Sequence, residues 1–257
     1  GKTSLVDFVF DKEDVQKDYF TISVDILHTT CFKEFIYVLG TAVYEKVASK
    51  SDKMRRLFMM TLRSLSASFG YDPIQNTPTF DVKLGDINMP EYTIKEIFEF
   101  IEHADKRCLV VIDEFQQITK YPEKNIEAIL RSYIQKLSNA NFVFAGSQRT
   151  ILEEMFLSSR RPFFQSAKLI QLEAIALPIY QEFVIKHFQE GEKNIMPEAI
   201  EKVYMTFRGV TLYMQRIMKD AYAMTPVGVT CDMALVDSLI DSFVTENDYR
   251  IRELLAY

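Results

Sequence analysis

RCLVVIDEFQQI, residues 107–118, is the stretch from which the rest of the chain can be ordered. Its four apolar residues Leu109 to Ile112 read as a strand buried on both faces, as in a parallel sheet covered by helices. Such a strand delivers Asp113 and Glu114 at its carboxyl end, where open α/β sheets bind their ligands. Asp113 is suited to hold magnesium through water, and Glu114 to orient or deprotonate an attacking water. The plainer alternative is that the two acids end the strand and cap the next segment.

Outward from this strand, helices and strands alternate. YFTISVD (19–25) has the alternation and β-branched content of a strand, and Phe32, Phe35, Ile36, Leu39, Val43 and Val47 recur at helical intervals after it. A second helix is expected over Lys53–Phe69, followed by a turn-rich surface connection with one short strand around FDVKL (80–84). YTIKEIFEFIEHADK and NIEAILRSYIQKLSNA read as helices flanking the central strand, and NFVFAGS as the next strand. ILEEMFLS is helical, and AKLIQLEAI (167–175) has the pattern of a fourth strand. From Pro178 the segments are helical without strong strands between them. The expected organisation is an α/β domain over 1–176, a helical lid over 177–228 and a C-terminal helical extension over 229–257.

The chain opens GKTSLV, and Gly1, Lys2, Thr3 and Ser4 match the close of G-x-x-x-x-G-K-[ST]. In that motif backbone amides and the positive end of the following helix cradle phosphate. The lysine reaches the β and γ phosphates, and the threonine hydroxyl binds magnesium. Gly-Lys-Thr is also an ordinary tripeptide, so the tetrapeptide gains weight from the Asp-Glu strand downstream, because one reaction uses both. The expectation is that the first half of the loop and the first sheet strand are missing from the sequence. That strand is expected in the interior, between the strand bearing the acids and the strand ending at Ser147.

GKTSLVDF, VVIDEFQQI, FVFAGSQRTILEEMF, RRPFFQSAKLIQL and RGVTLYMQRIM together resemble the AAA+ P-loop ATPases. The likeness is greater to their predicted archaeal-type branch, which is related to STAND and initiation ATPases. The resemblance implies an ATP-binding protein that hydrolyses MgATP to drive a conformational or assembly switch, with Lys2 and Thr3 as Walker A residues and Asp113 and Glu114 as Walker B; the alternatives are a nucleic-acid-associated AAA+ protein and a non-hydrolytic nucleotide-dependent scaffold. It implies a first sensor at Ser147 or Gln148, although Ser147 serves equally as a strand cap. Arg160 or Arg161 corresponds to an arginine offered to a neighbouring subunit's nucleotide, the alternative being a solvated basic pair. Arg208 or Arg216, flanking the helix that resembles the second-sensor region, would reach the γ phosphate from the lid. Implied partners are ATP, a second copy of the chain, an unidentified protein, and DNA through a C-terminal winged-helix module that would lie beyond YRIRELLAY.

Composition narrows the field. With 30 Lys and Arg against 36 Asp and Glu, and a net charge of -6, no overall basic field marks a nucleic-acid binder. Cys31, Cys108 and Cys231 form neither a disulfide framework nor a metal spacing, which fits a reducing, cytoplasmic setting. No apolar run approaches the roughly 20 residues that span a bilayer. His28, His103 and His187 have no matched nucleophile. Phe98, Phe100, Tyr133, Phe142, Phe144 and Phe183 are expected in the core, and Gly209 at the start of a helix.

Overall fold

A computed structural model describes the backbone of all residues except 65–67, 73–76, 82–86 and 256–257, and the side chains of all except 65–86 and 249–257. The chain forms two compact units, Gly1–Leu169 and Ile170–Tyr257.

The first unit begins with helices α1 (Lys2–Phe10) and α2 (Glu13–Asp18), then strand β1 (Tyr19–Asp25) and helix α3 (Phe32–Lys46). Helix α3 buries Phe32, Phe35, Ile36, Leu39 and Val43, the helical spacing of its sequence turned toward the sheet. Helix α4 (Asp52–Thr61) starts where the Ser51 hydroxyl accepts from the Met54 amide. It stops eight residues short of the expected Phe69. Just beyond it the Glu96 carboxylate, 32 residues away in sequence, takes the Ser64 amide and hydroxyl. Phe69 instead lies in strand β2 (Ser68–Asp72), paired antiparallel with β3 (Thr77–Asp81). The FDVKL strand is thus met at its first two residues, and the rest lies outside the described residues.

Helix α5 (Pro90–Glu102), with proline in its first turn, leads to β4 (Arg107–Asp113). A 3₁₀ turn (Phe115–Lys120) and helix α6 (Ile126–Ile134) follow, then β5 (Ala140–Phe144) and α7 (Arg149–Leu157). The three-stranded sheet has the order β1-β4-β5. Strand β1 is parallel to β4 from Tyr19↔Arg107 to Asp25↔Asp113, and β4 is parallel to β5 from Cys108↔Ala140 to Ile112↔Phe144. This register corrects the expected interior strand: the acidic strand and the strand leading to Ser147 exchange ladder hydrogen bonds directly, so none lies between them. Ile22, Val24, Val110, Ile112 and the apolar faces of α3 and α5 form one core. Phe98 and Phe100 belong to it, and Tyr133, Phe142 and Phe144 pack partly buried against it.

The expected fourth strand does not form. Residues 167–176 carry no strand, and Leu169, Ile170, Leu172 and Ile175 are exposed. Alternating apolar residues specify a face, but a strand also requires a neighbouring backbone to bond.

The second unit contains α8 (Leu177–Glu190), α9 (Pro197–Thr206), α10 (Thr211–Met224) and α11 (Met233–Leu255). Two short parallel strands, β6 (Asn194–Ile195) and β7 (Thr230–Cys231), tie the connections together. Tyr180, Val184, Ile200, Val203, Met214, Ile217 and Val236 form a separate core. Phe183 was expected inside and is half exposed, with its ring edge-on to His187. Gly209 has φ +73, and an added Cβ would approach that of Ala174 at 2.7 Å, so the turn before α10 requires glycine on both counts. No helix among the described residues is long and apolar enough to cross a membrane.

Candidate functional site

The carboxyl ends of the strands are stitched together by backbone bonds: Ile26 N–H to Asp113, Ala145 N–H to Ile112, and Phe115 N–H to Ala145. They hold the segment after β4 and the segment after β5 side by side. Asp113, almost fully buried, is reached by α1 from 110 residues away, where the Thr3 hydroxyl donates to its Oδ2 at 2.7 Å. Its Oδ1 accepts the Glu114 amide at 2.9 Å. The two sequence motifs are therefore brought into direct contact.

Thr3 hydroxyl and Asp113 carboxylate form a pair of hard oxygen donors, which fits magnesium, an ion that takes few protein ligands and keeps water and phosphate oxygens for the rest. Among the described residues no cluster of three or more His, Cys, Asp or Glu could hold a metal. A one-carboxylate, one-hydroxyl site is consistent with that. Lys2 and Ser4 lie exposed in the first turn of α1, with Gly1 preceding it. Anions are favoured at such a helix start, where amides lack partners.

Glu114 sits at φ 55, ψ 37, in the left-handed region that a non-glycine residue rarely adopts. This conformation turns the chain from strand into the 3₁₀ turn and separates the Glu114 side chain from that of Asp113. The Ser147 hydroxyl donates to Glu114 Oε2 at 2.7 Å, and the Gln116 amide nitrogen donates to the same oxygen at 2.5 Å. Burial pushes the Glu114 carboxyl up, but the hydrogen bonds from Ser147 and Gln116, with the charge of Lys2, outweigh it and hold the group below the usual carboxylate range. Glu114 is thereby kept ionised. Of the two sensor candidates, Ser147 touches Glu114, whereas Gln148 is exposed at the start of α7 and makes no side-chain hydrogen bond among the described residues.

The arginines separate. Arg161 is not solvated: it lies 3.2 Å from Glu127 on α6 and 3.6 Å from Glu154 on α7, so the reading of a solvated pair fails for it. Arg160 is exposed, and its side chain has no ion pair among the described residues. In the second unit, Arg208 is exposed in a left-handed turn at φ 49. Arg216 lies within α10 rather than beside it, paired with Asp220 at 3.0 Å.

Burial, with repulsion from Glu154, raises the Glu127 carboxyl despite the Arg161 charge. A carboxyl raised in the folded state contributes most below its unfolded value near 4.5, and that contribution is lost as pH rises through the folded value. Arg161→Met removes the offsetting cation and extends this loss upward. The variant is expected to lose about 1–3 kcal/mol relative to wild type near pH 8, and much less near pH 4, where Glu127 is protonated in both proteins. Urea melts at the two pH values check this. An equal loss at both would mean that Arg161 acts through packing alone.

Gln116 and Gly146 were not singled out by sequence. Gln116 is 1 % exposed although Gln117 beside it is of the same type, and nothing in DEFQQI distinguishes the two before the chain is folded.

No family model matches the chain, and no curated protein matches it. Among solved structures it is similar to the Walker-type ATPase PABY2304 of Pyrococcus abyssi, with 14% sequence identity and a TM-score of 0.63, covering 100% of this chain and 68% of that one. At this identity the likeness shows the fold alone, an α/β architecture with a parallel sheet covered by helices.

Proposed function

We propose that the chain is an ATP-binding protein that hydrolyses MgATP and couples hydrolysis to a conformational or assembly switch. The observation that carries this reading is the 2.7 Å hydrogen bond from Thr3 to Asp113, which joins the phosphate-loop residues to the acidic strand at the open end of the sheet. Lys2 and the first amides of α1 bind the β and γ phosphates. Thr3 and Asp113 hold magnesium, which when bound neutralises charge on the transferring phosphoryl group. Glu114 accepts a hydrogen bond, and then the proton, from the attacking water.

Membership of the AAA+ group, and adenine as the base, rest on the motif resemblance. In this reading Arg160 is the arginine available to a second subunit's nucleotide, because Arg161 is engaged by Glu127 and Glu154. Arg208 and Arg216 are the lid candidates for the γ phosphate, with Arg216 first having to leave Asp220. A protein or DNA partner would receive the switch through surfaces outside this site.

The test is calorimetric titration of the protein with MgATP, together with phosphate release. Lys2→Ala is expected to weaken MgATP binding by about 10- to 100-fold, the loss of a charge-assisted contact to phosphate. Absence of MgATP binding by the wild-type protein would sink the reading.

A further inference from the structure

Three donors from two residues converge on one oxygen of Glu114. The Gln116 amide nitrogen at 2.5 Å and the Ser147 hydroxyl at 2.7 Å reach Oε2 closely, and the Ser147 backbone amide reaches it at 3.4 Å. A carboxylate oxygen offers about two acceptor directions, so these bonds fill Oε2. Oε1 receives no hydrogen bond among the described residues and is the oxygen left to accept from water.

Ser147 is exposed, and its hydroxyl can rotate toward other acceptors. Gln116 has no such freedom. Its side chain is 1 % exposed, and its own Oε1 is buried without a hydrogen-bond partner. A buried orphan acceptor is disfavoured, so packing and the bond to Glu114 must hold the amide in this orientation. Gly146, between β5 and Ser147, provides the room. A Cβ there would lie 2.0 Å from the Gln116 Oε1 and 2.9 Å from a Leu152 methyl group. The backbone at Gly146 is not in the left-handed region, so the glycine is required by close approach rather than by its torsion angles.

We propose that Gln116 is the positioning residue for Glu114: its buried amide, lodged against Gly146, takes Oε2 and so fixes Oε1 as the oxygen that meets the attacking water. This rests on the ATPase reading above and adds to it which oxygen acts and what holds it. Gln116 touches neither nucleotide nor water in this scheme. Its replacement therefore leaves substrate binding intact and disturbs only the geometry of the chemical step, where a small misplacement is costly.

Five variants and two measurements test it. Gln116→Met keeps the bulk and removes the donor; it is expected to lower kcat about tenfold with KM for MgATP within about twofold of wild type. Gly146→Ala, by displacing the amide, should give a similar split. In a Gln116→Ala background, which vacates the space, Gly146→Ala should add little, because the two residues act as one unit. In nucleotide-free protein, the Gln116 side-chain amide should give a slowly exchanging NMR resonance that moves on Glu114→Ala.

KM rising as kcat falls, or additive effects of the two substitutions, would overturn the proposal, since a structural role predicts both. So would an amide resonance indifferent to Glu114→Ala in a protein that binds and turns over MgATP. A wild-type protein that neither binds nor hydrolyses MgATP overturns the ATPase reading and the proposal together. The two failures are thus told apart.

Discussion

Glu114→Gln is expected to lower steady-state phosphate release by about 100-fold or more while leaving MgATP affinity within about threefold, the loss typical of removing a positioned general base. The substitution is informative because it changes little else. Glutamine has the same length, so the left-handed backbone at φ 55 is equally strained before and after. Its amide oxygen can still accept from Ser147 and Gln116, which now bond to Glu114 Oε2. What disappears is the negative charge and the basicity. Glu114→Ala is less clean, since it also leaves the buried Gln116 amide without its acceptor. Single-turnover phosphate release, with binding followed separately, makes the measurement. A rate within about threefold of wild type would exclude Glu114 as the base and leave the chain a nucleotide-dependent switch whose slow hydrolysis is intrinsic to MgATP.

The largest loss of stability is expected from Phe115→Ala, about 3–5 kcal/mol, the range for truncating a fully buried aromatic side chain. Phe115 is 0 % exposed and immediately follows Glu114. Its ring centroid lies 4.4 Å from that of Phe144 on β5, 5.4 Å edge-on from Phe163, and 6.1 Å from Phe156 on α7. Phe144, Phe156 and Phe163 also contact one another, so the cluster fastens the segment after β4 to β5, to α7 and to the loop after α7. Removing its centre creates a cavity and loosens the backbone that carries Glu114. Denaturant unfolding of the first unit gives the stability, and a loss under about 1 kcal/mol would mean that the cluster collapses to fill the space. Phe115→Leu should cost less, because much of the volume is retained. In both variants phosphate release should decline at temperatures below the melting transition, since Glu114 and Gln116 directly precede and follow Phe115 in the chain.

Several elements were legible because their signal is local. The run Leu109–Ile112 identified a buried parallel strand, and the spacing of Phe32, Phe35, Ile36, Leu39 and Val43 identified the face that α3 buries. Thr3 of GKT and Asp113, expected at one site, are joined by a hydrogen bond. Errors arose where a local pattern needs a distant partner. AKLIQLEAI alternates like a strand and remains unpaired, and Phe183 has the helical spacing of a core residue but points half into solvent. The strand expected between β4 and β5 fails for the same reason: motifs along the chain carry no information on lateral neighbours, and the observed register brings the two together.

The site shows the same division. Residue type alone nominated Lys2, Thr3, Asp113 and Glu114, since phosphate, magnesium and water each demand a particular functional group at the end of a strand or the start of a helix. It could not separate Ser147 from Gln148, Arg160 from Arg161, or Gln116 from Gln117. Each of those choices depends on which way a side chain faces once β4 and β5 are in register and α6 and α7 are packed. Sequence by itself therefore determined the parallel α/β class and the chemical groups of the candidate site, because apolar periodicity and functional-group identity are written residue by residue. Only the tertiary structure decided that Ser147 and Gln116 share one oxygen of Glu114 and that Arg161 is held by Glu127. Those contacts join residues from separate elements, and their distances are set by packing rather than by spacing along the chain.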